Sequence, residues 1–266
     1  MIRARKEFGQ HFLEPAWVDK VVRAIDPTLD QDFIEIGPGT GALTRPLAAR
    51  AKSVTAFEID RELVPQLEAA AIPNLTVVGG DFLTVEPAKY FVRHTSNVRV
   101  AGNLPYNVAS PILFKLAELY ASGLPIDDAT VMLQREVAER LVAPPGGKEY
   151  GVLSVLLQHV ADVSMVLKLP AGAFRPPPKA LSALVRLRFH PPAPAVNDRA
   201  IFAGVVQAVF TRRRKTLANA LLAFPPAVAI TPARALATAN IDGGRRPETL
   251  SVAEFARLAD GLTPQP

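Results

Sequence analysis

Asn103-Leu104-Pro105-Tyr106-Asn107 follows a run, VRVAG, that reads as a buried strand. Together these residues suit chemistry on a flat heterocycle with an amino edge. An exocyclic ring amine is a poor nucleophile because its lone pair is delocalised into the ring. The Asn103 side-chain oxygen and the Leu104 backbone carbonyl offer two acceptors, one for each N–H. They would orient the amine and favour a more pyramidal nitrogen. Pro105 stiffens the turn so that the two carbonyls converge, and Tyr106 gives a face on which a base can stack. The same five residues could instead form an Asx turn that closes a strand, with the tyrosine in the core.

A second group lies upstream. FIEIGPGTGALTRPL reads as strand, glycine loop and helix start, with glycines at 37, 39 and 41 and Glu35 two residues before the first. Glycines there permit a tight turn and a close approach of ligand to backbone. The spacing G-x-G-x-G, with Ala42 where a dinucleotide site prefers glycine, argues against a nicotinamide enzyme. The next strand ends in FEID, which contains Glu58 and Ile59. Glu58, 21 residues past Gly37, is placed to accept hydrogen bonds from a ribose diol. Together they point to an adenosine-bearing cofactor. The third strand ends in GGDF, where Asp81 could accept the amino group of adenine and Phe82 could flank the ring. Asp81 reads equally well as a helix cap or turn residue.

Methyl transfer from a sulfonium donor to adenine N6 would need no strong base, since a proton can leave once the nitrogen is positive. Catalysis would then rest on positioning and electrostatics. A paired base cannot reach such a pocket, so the substrate must be single-stranded or flipped out. Phe174, in FRPPPKALS, is a candidate second ring for the base, or simply a packed side chain.

The elements that must position these groups are legible in outline. Between Asp32 and Phe189, seven β-rich runs alternate with amphipathic segments. Near-continuous apolar strands imply a mostly parallel sheet with helices on both faces. The last two runs, VSMVLKL and LSALVRLRF, lie close together and suggest an antiparallel pair at the edge. PAWVDKVVRAI sets Trp17, Val18, Val21, Val22 and Ile25 on one helical face. HPPAPAVND, with three prolines and Asn197, reads as a boundary. Beyond it come three or four short helices, with Asp198 and Ser251 at capping positions. The expected domains are 1–190 and 191–266.

Composition narrows the function classes. The 266 residues contain no cysteine, which removes disulfides, thiolate zinc sites and cysteine nucleophiles. MIRARKEFGQHFL is no secretory signal, and no apolar run reaches the roughly 18 residues of a membrane span. A net charge of +5 permits a polyanionic partner.

These segments resemble the ribosomal RNA adenine N6-dimethyltransferases. KEFGQHFL, EIGPGTGALT, FEID, GDFL, NLPYN, LQREVAERLVAPPGGKEYGVLSVL, FRPPPKALSALVRL and FTRRRKTLANAL carry the likeness over nearly the whole chain. The proline-rich segment and RRRKTLANAL are most similar to the bacterial small-subunit (16S) enzymes. The resemblance implies a Rossmann-like class I methyltransferase domain with a small all-helical C-terminal domain. It implies S-adenosyl-L-methionine as donor, with contacts at His11, Leu13, Gly37, Glu58, Asp81 and Asn103. GQHFL, with Gln10 and His11, would cover the cofactor; the residues alone read as surface before a helix. The target pocket would fall on Asn103, Leu104, Pro105, Tyr106 and Phe174. The chain departs from the family pattern at Pro15 and Ala180.

The implied reaction is N6,N6-dimethylation of two adjacent adenosines in the 3′-terminal hairpin loop of 16S rRNA, within a 30S particle or its precursor. A monomeric, cytoplasmic enzyme is expected, with no membrane and no metal. Modification of a single 23S rRNA adenosine, as in resistance-type relatives, is the near alternative. An assembly factor whose binding matters more than its chemistry is a third. Basic clusters at Arg3, Arg5 and Lys6, at Arg212 to Lys215, and at Arg245 and Arg246 could contact phosphates or be solvated faces. PPGGKEYG, 144–151, looks like a mobile loop that contacts substrate or only connects helices.

Overall fold

The computed structural model describes residues 11–86, 88–91, 97–224 and 230–264. Cα packing divides the chain into two units, 1–138 with 162–189, and 139–161 with 190–266. The proline run near 190 marks the second departure of the chain from the first unit. An earlier excursion, 139–161, belongs with the late helices, so no linear division at 190 separates the two.

In the first unit, β1 (Phe12–Leu13) leads into α1 (Pro15–Ile25). Pro15 occupies the first helical position, where its missing N–H removes no intrahelical bond. Val21, Val22 and Ile25 are buried beneath that helix, with Trp17 and Val18 packed alongside. The central strands are β2 (Asp32–Ile36), β3 (Ser53–Glu58), β4 (Leu75–Gly79), β5 (Val98–Asn103) and β6 (Ile126–Gln134). Helices α2 (Thr44–Ala48), α3 (Val64–Glu68), α4 (Ala88–Phe91) and α5 (Ala109–Ala121) connect them. Then α6 (Arg135–Leu141) and α7 (Val152–Gln158) precede β7 (Ala161–Leu169), β8 (Phe174–Arg175) and β9 (Ser182–Phe189).

The large sheet runs β4-β3-β2-β5-β6-β9-β7. Strands β4 through β6 are parallel, and β9 joins β6 antiparallel. All five residues of β2 are buried, as expected for a strand covered on both faces. The chain lays β2, β3 and β4 outward in one direction, then returns to place β5 on the other side of β2. That reversal opens a crevice at the carboxyl ends of β2 and β5, where open α/β sheets bind ligands. Gly102 permits it: a Cβ there would lie 2.4 Å from the Ile36 carbonyl oxygen.

At the opposite end of the sheet, Arg99 forms a two-pronged ion pair with Asp128, both bonds 2.9 Å. The same guanidinium donates to the Ile25 and Asp26 carbonyls, satisfying the end of α1. This network anchors α1 to β5 and β6, away from the crevice.

In the second unit, α8 (Arg199–Thr211), α9 (Leu217–Leu221), α10 (Pro232–Ala239) and α11 (Val252–Leu262) follow one another. Asp198 caps α8 by accepting from the Ala200 and Ile201 N–H groups. Ser251 and Glu254 form a reciprocal capping box on α11. The core gathers Phe202, Val206, Leu217, Leu236 and Phe255 with Tyr150 and Val155 from the excursion. The 144–151 loop, expected to be mobile, is tied down within this unit. Tyr150 is fully buried, Gly146 N–H donates to the Glu248 carbonyl at 2.7 Å, and Arg213 donates to the Gly147 carbonyl at 3.1 Å.

Candidate active site

The crevice has two adjoining lobes that share Gly37, Ile59 and Pro105. The first is lined by His11, Leu13, Glu35, Gly39, Glu58, Asn103, Leu104 and Tyr106, among others. The second is lined by Phe57, Asp81, Phe82, Asn107 and Ile112. Four parallel strand ends therefore bring together most of the residues singled out in the sequence. Gln10, Arg3, Arg5 and Lys6 lie outside the described residues.

The glycine loop turns as its spacing demands. Gly37, Gly39 and Gly41 have φ of 71°, 58° and 81°, values that favour glycine. The Gly41 N–H donates to the Pro38 carbonyl and shapes the approach to α2 without lining either lobe. Glu58 holds the loop: Oε2 accepts from Gly39 N–H and Oε1 from Asp60 N–H, each at 2.8 Å. A carboxylate offers about four acceptor positions, so two remain for ligand hydroxyls. Burial raises the Glu58 pKa, and these two backbone donors act against the rise. Ile59 is 41% exposed, an apolar surface between the lobes. Asp81 Oδ1 accepts from Leu83 N–H at 2.9 Å, so the turn role foreseen for it is realised while it also lines the second lobe. Phe82 is buried edge-on against Phe57.

Asn103 is fixed from one side only. Its Nδ2 donates to the His11 backbone carbonyl at 2.6 Å, which commits the amide nitrogen and directs the amide's acceptor elsewhere. The Leu104 N–H donates to the Met132 carbonyl, and Val108 N–H to the Pro105 carbonyl, closing a rigid turn. The Tyr106 hydroxyl shares a 2.6 Å hydrogen bond with the Ser182 hydroxyl. Burial raises the tyrosine pKa, while the Ser182 bond opposes it.

The segment before α1 closes over this lobe. His11 Nδ1–H donates to the Pro176 carbonyl at 2.7 Å, and β1 pairs antiparallel with β8, Leu13 opposite Phe174. Arg175 and Glu14 add an ion pair at 2.8 Å. Phe12 presses on the glycine loop: a Cβ on Gly39 would lie 3.1 Å from its ring. Phe174 is 2% exposed and packs in the core with Leu13, so it lines neither lobe. Of its two readings, the packed one describes this structure.

Glu35 is the electrostatic outlier. It is 1% exposed, lines the first lobe, and its Oε2 has no hydrogen-bond partner among the described residues. Burial pushes its pKa up to about 8; the Thr44 hydroxyl pulls the other way and the Glu58 charge adds to the rise.

Several contributors were not foreseen. Thr40 and Met132 line the first lobe and Asn107 the second. Asn107 sat in plain view beside Tyr106; Met132, distant in sequence, gave no signal until β6 was seen to pair with β5.

Among the basic groups, Arg213 is engaged by the 144–151 loop, and Arg245 by Glu254 and Thr249. Arg212, Arg214, Lys215 and Arg246 are exposed.

The sheet order, the glycine loop and the acids at successive strand ends define a Rossmann-like methyltransferase. Residues 1–263 match the family model described as ribosomal RNA adenine dimethylase. The chain belongs to that family. It is 44% identical over 261 residues to "Ribosomal RNA small subunit methyltransferase A" of Xanthomonas oryzae pv. oryzae, covering 97% of this chain and 95% of that one. It is 42% identical over 262 residues to the protein of the same name from Methylibium petroleiphilum, covering 98% and 97%. Among solved structures, a dimethyladenosine transferase from Plasmodium falciparum superposes with a TM-score of 0.77 at 25% identity, covering 93% of this chain and 96% of that one. The 23S rRNA methyltransferase ErmE superposes with a TM-score of 0.65 at 28% identity, covering 94% and 99%.

Proposed function

We propose that the protein transfers methyl groups from S-adenosyl-L-methionine to N6 of two adjacent adenosines in the 3′-terminal hairpin loop of 16S rRNA, giving N6,N6-dimethyladenosines. The observation that carries this reading is the placement of Asn103, with its amide nitrogen committed to His11, at the strand end facing Glu35, Gly37 and Glu58. The 44% identity to a small-subunit enzyme over nearly both chains favours 16S over 23S rRNA.

The residues fit the donor. Two lobes joined at Gly37, Ile59 and Pro105 suit an elongated ligand with a nucleoside at one end and an amino-acid tail at the other. In this reading Asp81 and Phe82 hold the adenine, Glu58 the ribose hydroxyls, and His11, Leu13, Glu35 and the 37–41 loop the tail. Gln10 joins the covering segment. When bound, the donor supplies an electrophilic methyl: N6 forms the N–C bond as the S–C bond breaks, S-adenosylhomocysteine keeps the electron pair, and N6 sheds a proton to water.

The chain's own part is positioning. Asn103 Oδ1 and the Leu104 carbonyl accept the two N–H bonds of the target amine and aim its lone pair. Pro105 holds them convergent, and Tyr106, whose phenol burial moves still further from ionisation, stacks on the base. Phe174 supports the covering segment from behind through its pairing with Leu13. Exposed Arg212, Arg214, Lys215 and Arg246 contact phosphates, giving salt-dependent affinity with little sequence choice. The protein acts as a monomer, in the cytoplasm, on a 30S particle or its precursor.

The test is direct. Labelled S-adenosylmethionine is supplied with undermethylated 30S particles, and separately with 50S particles, and the modified nucleotides are mapped. Two neighbouring dimethyladenosines near the 16S 3′ end are expected. Label in 23S rRNA alone would overturn the assignment.

A further inference from the structure

Tyr106 raises a question that stacking alone does not answer. A base stacks as well on phenylalanine, since only the ring face is used, so the hydroxyl must serve something else. It meets the Ser182 hydroxyl at 2.6 Å. Tyr106 follows β5 and Ser182 opens β9, with β6 between those strands, so the tyrosine reaches across the end of β6. Ser182 is 1% exposed, and a hydroxyl so deeply buried needs a partner. It is also rooted on both sides. It stands opposite Gln134 in the β6–β9 ladder, and the Leu181 carbonyl before it accepts from Arg135 N–H at 2.8 Å. The same wall carries Phe174, paired with Leu13, and the Pro176 carbonyl that receives His11. Of the two hydroxyls, the one on the strand is fixed and the one on the ring is held by it. Burial carries the phenol further from ionisation, so the bond joins two neutral hydroxyls.

We propose that Ser182 is a positioning residue for methyl transfer: its hydroxyl aims the Tyr106 ring so that a base stacked on it presents N6 to Asn103 and Leu104. The proposal rests on the reading of Tyr106 as the stacking face for the target base. A ring held only at Cβ swings among rotamers about χ1 and turns about χ2. The phenol oxygen lies at the far end of the χ2 axis, so a bond there fixes where the ring points. Because a phenol O–H lies in the ring plane, the bond also favours one plane. The base inherits both constraints when it stacks. Its amine then meets the Asn103 side-chain oxygen and the Leu104 carbonyl already aligned, and alignment of this kind is a source of rate. The two acceptors belong to β5 and its turn; the stacking plane is set from β9, and Ser182 joins the two.

Single-turnover methyl transfer at saturating S-adenosylmethionine and undermethylated 30S particles reads this, with the affinity for each measured separately. Ser182→Ala is expected to lower the saturated rate about three- to tenfold, the range that one net hydrogen bond allows, while both affinities stay within about twofold. The decisive comparison is a double-mutant cycle. Tyr106→Phe removes the same bond from the other side and keeps a ring. If Ser182 acts through that bond, adding Ser182→Ala to Tyr106→Phe brings no further loss of rate. Losses that multiply in the double variant would overturn the proposal, as would a Ser182→Ala protein that turns over like the unaltered one. Circular dichroism checks each fold. Should Ser182→Ala fail to fold, Tyr106→Phe reads the same bond from a half-buried position, and an undiminished rate there would overturn the proposal. Tyr106→Ala tests the stacking reading separately and should cost far more than Tyr106→Phe. An unaltered rate in Tyr106→Ala would remove the stacking face and this proposal with it.

Discussion

The His11 imidazole stacks on the Tyr106 ring, with centroids 5.6 Å apart and planes 26° from parallel. Tyr106 is the ring assigned to the target base, so in this conformation one of its faces is already covered. A base placed between the two rings needs two stacking distances, more than the present gap. His11 must therefore move before a base can use that face. A stacked ring pair is worth about 0.5–1.5 kcal/mol, so His11→Ala is expected to tighten binding of a single-stranded RNA fragment by roughly two- to tenfold. Fluorescence titration with a 2-aminopurine-labelled oligonucleotide measures it. Weaker binding would mean that His11 instead serves as the second face of the base pocket.

Asn103→Ala removes an acceptor aimed at the amine and also the tie to the His11 carbonyl. Loss of one preorganised polar group at a reacting centre costs about 10²–10³-fold in rate. Single-turnover methyl transfer should fall by at least that much. Donor affinity should stay within about tenfold, roughly 1.4 kcal/mol. If the variant still binds 30S particles, binding is separable from chemistry. Unaltered turnover would remove Asn103 from the mechanism.

Glu35 makes the ligand-free protein sensitive to pH in a direction opposite to most carboxylates. Its folded pKa, about 8, lies above the ordinary value of 4.5. Between these values the unfolded chain ionises this group while the folded chain keeps it protonated. Its contribution to stability is full below pH 4.5 and is lost as pH rises towards 8. The total is on the order of 5 kcal/mol. Glu35→Gln carries no such loss, so its stability relative to the unaltered protein should grow steadily from pH 5 to 8. Thermal unfolding of both proteins across that range decides the matter, and parallel curves would show that Glu35 is ionised in the free protein.

Gly102→Ala should injure fold and site together. The added methyl would meet the Ile36 carbonyl at 2.4 Å, and backbone cannot step aside as a flexible side chain can. Overpacking of this kind costs about 1–3 kcal/mol. The strain would spread β2 from β5 where Gly37 and Asn103 emerge. A lower melting temperature together with weaker donor binding is expected; a drop in stability alone would show that the crevice absorbs the change.

The strands and late helices were legible because each carries its own local signal. Seven β-rich runs became the seven strands of the large sheet, and Asp198 and Ser251 cap as their residue types suggested. The glycine loop and its acids were legible because the turn needs positive φ and the strand ends fix the spacing. What stayed hidden depends on partners far along the chain. Gly102 looks like any strand glycine until β2 lies beside β5. The β1–β8 pair is two residues long and has no periodicity to read. The apolar face of α7 declares a helix but not which core receives it, so the excursion at 139–161 gave no sign of its destination.

That excursion bears on how such a protein can be inherited. Because Tyr150 and Val155 leave the sheet-bearing unit to complete the core of the late helices, no single break in the gene separates one half from the other. Recombination at the proline run would strand part of one core in each product, and the helical part could be exchanged intact only by three crossovers made together, one on each side of 139–161 and one before 190.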